Sequence, residues 1–356
     1  MELVNYTPFP HLVFESTTLQ DREVGVVVVR GTFRIVPWSP LLPAVEQTSV
    51  ALRNVYRGDP SASSLISEAD IASFKPRSDI HVTAVARSPG GRLAVKWPVR
   101  IRVGTQVKDL LVCGPHEWRH TSVLGWSKTK PRLCSQVVLS YENAFGGSFR
   151  VKDRLLYDEA NPVGTGWLPA SIPTNEPIRA PQVVALDEPE HVPGKRYPPQ
   201  GCGPMLPNWS ARLSRAGTFD ARWCETRSPK VPVDFDEAFY NSAHPDLTYS
   251  DGYLLGGEEI ELLGLTAHAP TIRAVVPRYS LYGWITYHNG GDRAFGLVLD
   301  TLHIDVAADD PGAHRVFLTW RGRYPLVSRM RRLEIRMRDM TTASRADVPR
   351  REAVHG

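Results

Sequence analysis

The apolar positions of the first third of the chain recur with the period of a strand. Glu23 to Pro37 joins a β-branched run, Val24 to Val29, to an alternating tail, Thr32-Phe33-Arg34-Ile35-Val36, a pattern that predicts strand rather than helix. Asp79–Arg87, Arg92–Gly104 and Asp109–Gly114 repeat it, separated by Ser-Pro-Gly-Gly and Gly-Thr-Gln turns. Gaps that short predict antiparallel hairpins. Ser135–Gly147 reads as another strand, stopped by the pair Gly146-Gly147. A short helix is expected over Ser61–Ala72.

Between Ala160 and Ser250 the pattern breaks, and 14 of the 30 prolines fall here. Such a stretch is a linker or an ordered irregular wrap. Trp167, Tyr197, Trp209, Trp223 and Tyr240 favour the wrap, since linkers lack large apolar anchors. From Asp251 the strand pattern returns. Gly256–Leu265 fits helix or strand; Pro270–Pro277, Tyr282–His288, Phe295–Val306 and Arg315–Gly322 read as strands, with a turn at Asp309-Asp310-Pro311-Gly312. Arg331–Asp339 alternates Leu333, Ile335 and Met337 with charged residues, a strand with an arginine-rich outer face.

The expected fold is therefore mainly β: antiparallel sheets in two interleaved lobes, a long irregular proline-rich segment and few short helices. The expected organisation is one large globular unit over residues 1–340, with lobes at about 1–150 and 251–340, the wrap at about 151–250, and a frayed polar tail at 341–356. A 42% apolar and 22% charged composition supports a sizeable core. A net charge of +4 is too small for a dedicated nucleic-acid binder, although Arg329, Arg331, Arg332, Arg336 and Arg338 cluster. The N-terminus has no signal-peptide pattern, and Val24–Val29 is too short to cross a bilayer. Cys113, Cys134, Cys202 and Cys224 lack paired spacing and read as reduced, mostly buried thiols of a cytoplasmic protein.

His116-Glu117-Trp118-Arg119-His120 spells the H-E-x-x-H motif of zinc hydrolases, which needs a helix to bring both imidazoles onto one face. Here it follows the strand-like Leu110-Leu111-Val112-Cys113-Gly114 and then Pro115, and poor helix material follows it. The position of a third histidine is Trp126; the alternative ligand, Glu142, about twenty residues downstream, ends a strand. The expectation is a strand-to-turn segment in which His116 and His120 share no helical face, with a zinc-dependent hydrolase as the alternative reading. No nucleophile elbow, P-loop or paired C-x-x-C occurs. Asp70, Lys75 and Asp79 lie close in sequence; two carboxylates flanking a lysine suit acid–base chemistry, or tether loops at strand boundaries.

Several blocks, in order, carry a resemblance: SSLISEADIASFKPRSDIHV, LSYENAFGG, NPVGTGW, NWSARLSRAGTFDARW, PVDFDEAFYNSAHPDL, LLGGEEIELLGL and LDTLHIDV. Together, over about residues 10 to 325, the chain resembles an accessory family encoded beside spike and effector genes in bacterial type VI secretion clusters. The resemblance implies a cytoplasmic chaperone or adaptor that helps load a secreted effector onto the trimeric spike protein or its PAAR-type tip. It implies no enzymatic activity, and the residues themselves lead us to expect no cofactor or metal and no membrane or nucleic-acid partner. The matching residues are Asp70, Lys75 and Asp79; Tyr141, Glu142, Phe145, Gly146 and Gly147; Asn161, Pro162 and Gly164; Asn175 and Glu176; Trp209, Arg212, Asp220 and Trp223; Asp234 and Asp236. They either hold the fold or contact a partner, and Trp209, Arg212, Asp220 and Trp223 are expected to form one stacked cluster. Near the zinc-like motif, Gly114 and Trp118 match the family's text, while Pro115 and His116 replace its usual acid and arginine. Exposed β edges or a concave apolar groove are the expected contact surface.

Overall fold

The computed structural model describes residues 1–123, 125–169, 176–266 and 269–340, so the tail at 341–356 lies outside the described residues. The protein is mainly β. Its largest sheet has nine strands and curls into a half-barrel. In order it holds Glu2–Asn5, Met330–Asp339, Tyr279–Tyr287, Asp292–Asp305, Arg315–Pro325, Glu23–Arg34 and His11–Thr17. Leu42–Pro43 adds to Glu23–Arg34, and Asp79–Thr83 adds in parallel to Asp292–Asp305. A second sheet runs Val183–Ala185, Gln106–Cys113, Lys96–Val103, Glu259–Leu263 and Thr271–Val275, all antiparallel. Both sheets draw neighbouring strands from opposite ends of the chain, and one apolar cluster reaches from Phe9 through Trp97 and Leu262 to Ile335.

The valine run shows why the pattern is continuous rather than alternating. Strand Glu23–Arg34 is buried on both faces, as unbroken apolar strands generally are. Val27, Val29 and Phe33 join the main core, while Val24, Val26 and Val28 pack with Val50, Leu12 and Phe14. Gly256–Leu265 resolves as strand, at Glu259–Leu263, because its Ile260 and Leu262 alternate into the core beside Lys96–Val103.

The helix expected over Ser61–Ala72 does not form. The segment is a turn followed by a short strand, Leu65–Ser67, paired with Val55–Tyr56. Side chains capture the backbone first: Asp59 accepts from the Ser61 N–H at 2.8 Å, and Ser63 Oγ donates to the Asp59 carbonyl while accepting from Gly58 N–H. Serine and aspartate compete with helical bonds in just this way.

Among its described residues the proline-rich stretch is an irregular wrap, with α-helices at Ser210–Leu213 and Ala221–Thr226 and 3-10 turns at Glu237–Tyr240 and Pro245–Leu247. Trp167, Tyr197 and Trp209 are buried anchors, whereas Trp223 and Tyr240 are half-buried. The four cysteines are free thiols. No helix among the described residues is long and apolar enough to cross a membrane.

Candidate functional site

Strands Asp79–Thr83, Asp292–Asp305, Arg315–Pro325 and Glu23–Arg34 carry two different faces. On one, Ile80, Leu302, Leu318 and then Val82, Ile304, Val316, Phe33 run into the main core. On the other, Asp79, Thr301, Thr319 and Arg30 form one row across the sheet, and His81, His303, Phe317 and Thr32 form the next. This polar face is also buried, because residues 67–78 and the wrap lie over it. A sheet face that is polar and yet sealed must satisfy every group internally.

Ion pairs satisfy most of this face, leaving Arg30 Nε and Arg321 Nη2 buried without a partner. Lys75 Nζ lies 2.8 Å from Asp79 Oδ2, Arg30 2.6 Å from Asp70, and Arg321 Nε 2.6 Å from Asp300. At the rim, Arg212 pairs with Glu68 at 2.7 Å. Asp300 reaches Arg321 because the ladder shifts register between Leu299 and Thr301, an irregularity that re-aims the residue between them. Asp79 also accepts from the Ser242 N–H at 3.0 Å and from Asn241 Nδ2 at 2.9 Å, fastening the wrap to the sheet. Asp70 accepts from Ala51 N–H at 2.8 Å. Lys75 thus pairs with Asp79, and Asp70 with Arg30 rather than with that lysine.

Burial alone would neutralise both members of the Lys75–Asp79 pair. Their mutual attraction outweighs it, so Asp79 is held below the usual carboxylate range and Lys75 above its ordinary value. The two histidines have no carboxylate bonded to them. Burial drives His81 down to about 3 and His303 to about 4. They are neutral, with Nε2 atoms 3.2 Å from Ser242 Oγ and 2.9 Å from Thr83 Oγ1 respectively. The space beside this seam is about 20 Å³, room for one water.

A second buried cation, Lys108, meets Gln200 Oε1 at 2.8 Å, Asp246 Oδ2 at 2.9 Å and His244 Nδ1 at 3.0 Å. The Asp246 N–H also donates to that nitrogen, so His244 is a neutral acceptor; burial lowers its pKa to about 3. Sequence reading had not singled out His81, His303, Lys108 or His244. For His81 and His303 the signal is the alternation of polar and apolar residues in Asp79-Ile-His-Val-Thr83 and Thr301-Leu-His-Ile-Asp305; Lys108 and His244 lie outside those segments.

The segment Tyr141–Gly147 is organised by Asn161. Its Nδ2 donates to the Tyr141 and Phe145 carbonyls at 2.8 and 2.9 Å. Gly146 has φ of 144°, and a Cβ there would lie 2.2 Å from the Asn161 carbonyl oxygen; Gly147 has φ of 128°. A Cβ on Gly164 would meet Asn161 Nδ2 at 2.4 Å, and Pro162 between them is half-buried. Burial pushes the Glu142 carboxyl up, but hydrogen bonds from the Ser64 N–H and hydroxyl outweigh it and hold it low. Tyr141 stands edge-on to Trp209 at 4.8 Å, and Phe145 packs against Tyr197 at 5.3 Å. Glu176 is exposed before Ile178–Arg179, and Asn175 lies outside the described residues.

The expected cluster of Trp209, Arg212, Asp220 and Trp223 is divided. Trp209 and Arg212 are interior, with Arg212 also donating to the carbonyls of Met205 and Phe239. Asp220 caps the helix Ala221–Thr226 through Trp223 N–H, and Trp223 packs on Phe219 at 4.7 Å in an outer knob. Asp234 closes that knob on the Thr218 N–H and hydroxyl, and Asp236 caps the next turn at Ala238. The split follows from Gly217, whose φ of 77° turns the chain outward between the two pairs.

A family model covers residues 20–321 of this chain; it describes an uncharacterized protein conserved in bacteria, DUF2169. The chain belongs to that family. No curated protein and no solved structure matches it. The family's span thus opens just before strand Glu23–Arg34 and closes at Arg321, inside the buried seam.

The zinc-like motif lies on extended backbone, with Glu117–Thr121 a strand paired to Gly125–Lys128 and Ile178–Arg179. Four residues of strand span about 13 Å, so the helical face that the motif requires is absent. His116 is buried and bonded to the Gly114 carbonyl, Glu117 pairs with Arg119, and His120 is exposed against Trp126. Among the described residues, no three His, Cys, Asp or Glu side chains are placed to share a metal ion. Gly114 is pinned by close approach: a Cβ would lie 1.8 Å from the Arg132 carbonyl oxygen. On the arginine-rich strand, Arg332 and Arg336 pair with Glu334, and Arg338 lies over the Tyr282 ring at 5.3 Å.

Proposed function

We propose that the protein is a non-catalytic chaperone or adaptor that binds a type VI secretion effector in the cytoplasm and helps load it onto the spike or its PAAR-type tip. The ordered sequence blocks supply the system; one structural observation supports partner binding. Asp220, Trp223 and Asp234, residues of the resembling blocks, spend their hydrogen bonds on building an exposed knob. That knob leaves Phe219 57% and Val233 84% exposed. Aromatic side chains such as Phe219 are enriched in protein contact surfaces. The sealed state of the Lys75–Asp79 seam supports a structural rather than a catalytic use of its charges.

Purification of the tagged chain from cells carrying the neighbouring genes tests the reading. An effector or spike protein should co-purify, and effector levels should fall when the chain is deleted. Neither result appearing would end the proposal.

A further inference from the structure

The zinc-like motif leaves behind one feature that neither the seam nor the knob uses: the cavity next to His116. It holds about 160 Å³. Val95, Leu111 and Val184 line it together with Pro131, Pro181 and Pro189. An apolar cavity of about 150 Å³ accommodates a single benzene ring, so the space is the size of one aromatic ring.

Two imidazoles in the wall give it polarity. His116 Nδ1 lies 2.9 Å from the Gly114 carbonyl. A carbonyl only accepts, so Nδ1 carries the hydrogen and Nε2 is left as an acceptor. His191 is 8% exposed, stacked on Tyr197 at 3.8 Å and edge-on to Phe145 at 5.4 Å. Its Nδ1 is buried without a hydrogen-bond partner and presents almost no accessible surface to the cavity, so the acceptor available to a ligand is His116 Nε2. Burial lowers both imidazole pKa values, His191 to about 4, so both are neutral near pH 7. Lys128, in the same wall, is already paired with Glu190 at 2.9 Å. The cavity therefore offers apolar volume and one neutral acceptor, His116 Nε2, with Lys96 and the Lys128–Glu190 pair also in its wall, which suits an uncharged ring with one hydroxyl.

We infer that this cavity binds a phenolic ring, the hydroxyl donating to His116 Nε2. The ring comes either from a free small phenol or from a tyrosine of a partner polypeptide. The inference stands apart from the adaptor reading, since it requires only the pocket.

Calorimetric titration of the full chain with p-cresol, toluene and N-acetyltyrosinamide tests it. p-Cresol should bind saturably with a Kd on the order of 1 mM, as befits so small a ligand, and toluene at least about tenfold more weakly. H116F should remove that preference. L111W and V184W, each checked for cooperative unfolding, fill the cavity and should abolish binding. Competition by N-acetyltyrosinamide assigns the site to a polypeptide tyrosine; p-cresol binding without it assigns the site to a small molecule. No saturable binding of either phenol overturns the inference, as does binding that survives in both filled variants.

Discussion

His81 and His303 stand directly opposite one another in the parallel pairing of their strands, with ring centroids 6.1 Å apart and planes at 82°. Two imidazoles that close, with Arg30 and Lys75 nearby, can be accommodated only while neutral.

Acid should therefore unfold the protein well above the carboxylate range. The folded-state pKa values of about 3 and about 4 lie below the ordinary histidine value of 6.5. Below pH 6.5 the unfolded chain binds protons that the folded chain refuses, so stability falls as pH falls from about 6.5 toward 4. Each of these histidines should cost on the order of 2 kcal/mol by pH 5. Urea midpoints between pH 7.5 and 5 read this out, and the H81N/H303N double variant should make the slope shallower, with His244 and His191 supplying the remainder. A midpoint independent of pH over that interval contradicts the buried neutral pair.

Removing one partner of the Lys75–Asp79 pair leaves the other charge sealed without compensation. D79N and K75M should each destabilise by about 3–5 kcal/mol. D79N additionally weakens the hold on Ser242 and Asn241, so protease sensitivity should appear first in the wrap near residue 242. Limited proteolysis followed by mass mapping checks the location.

Trp118 and His120 are neighbours in the zinc-like motif with opposite environments. Trp118 is 3% exposed and packs with Leu168 and Ala180. W118A should cost about 3–5 kcal/mol, whereas H120A should shift stability by no more than about 0.5 kcal/mol. Equal losses in chemical denaturation would return weight to the histidine.

At the knob, F219A combined with V233D should leave the unfolding midpoint within about 0.5 kcal/mol of the parent. If the adaptor reading holds, partner retention in the co-purification should fall at least tenfold. Full retention by a folded double variant moves the contact surface elsewhere.

Local sequence determined most of the strands. Alternation placed Arg331–Asp339 correctly, and the glycine pair at 146–147 does adopt backbone angles that other residues resist. Extended backbone at His116–His120 was also legible, since Gly114-Pro115 and the residues beyond Thr121 offer a helix no support. The expected helix that did not form has an identifiable cause. Ser61–Ala72 has acceptable helical composition, but its serines and Asp59 close bonds that compete with the helix, and Glu142, about eighty residues away, takes the Ser64 N–H.

What tertiary structure alone decided is which polar residues are sealed and with whom. Periodicity says that Asp79, His81 and Thr83 share one strand face, and likewise Thr301, His303 and Asp305. It cannot say that these faces meet across a parallel pairing of strands more than two hundred residues apart, nor that the wrap closes over them. Burial is a property of the whole chain's packing, and it is burial that turns ordinary histidines neutral and binds lysine to aspartate.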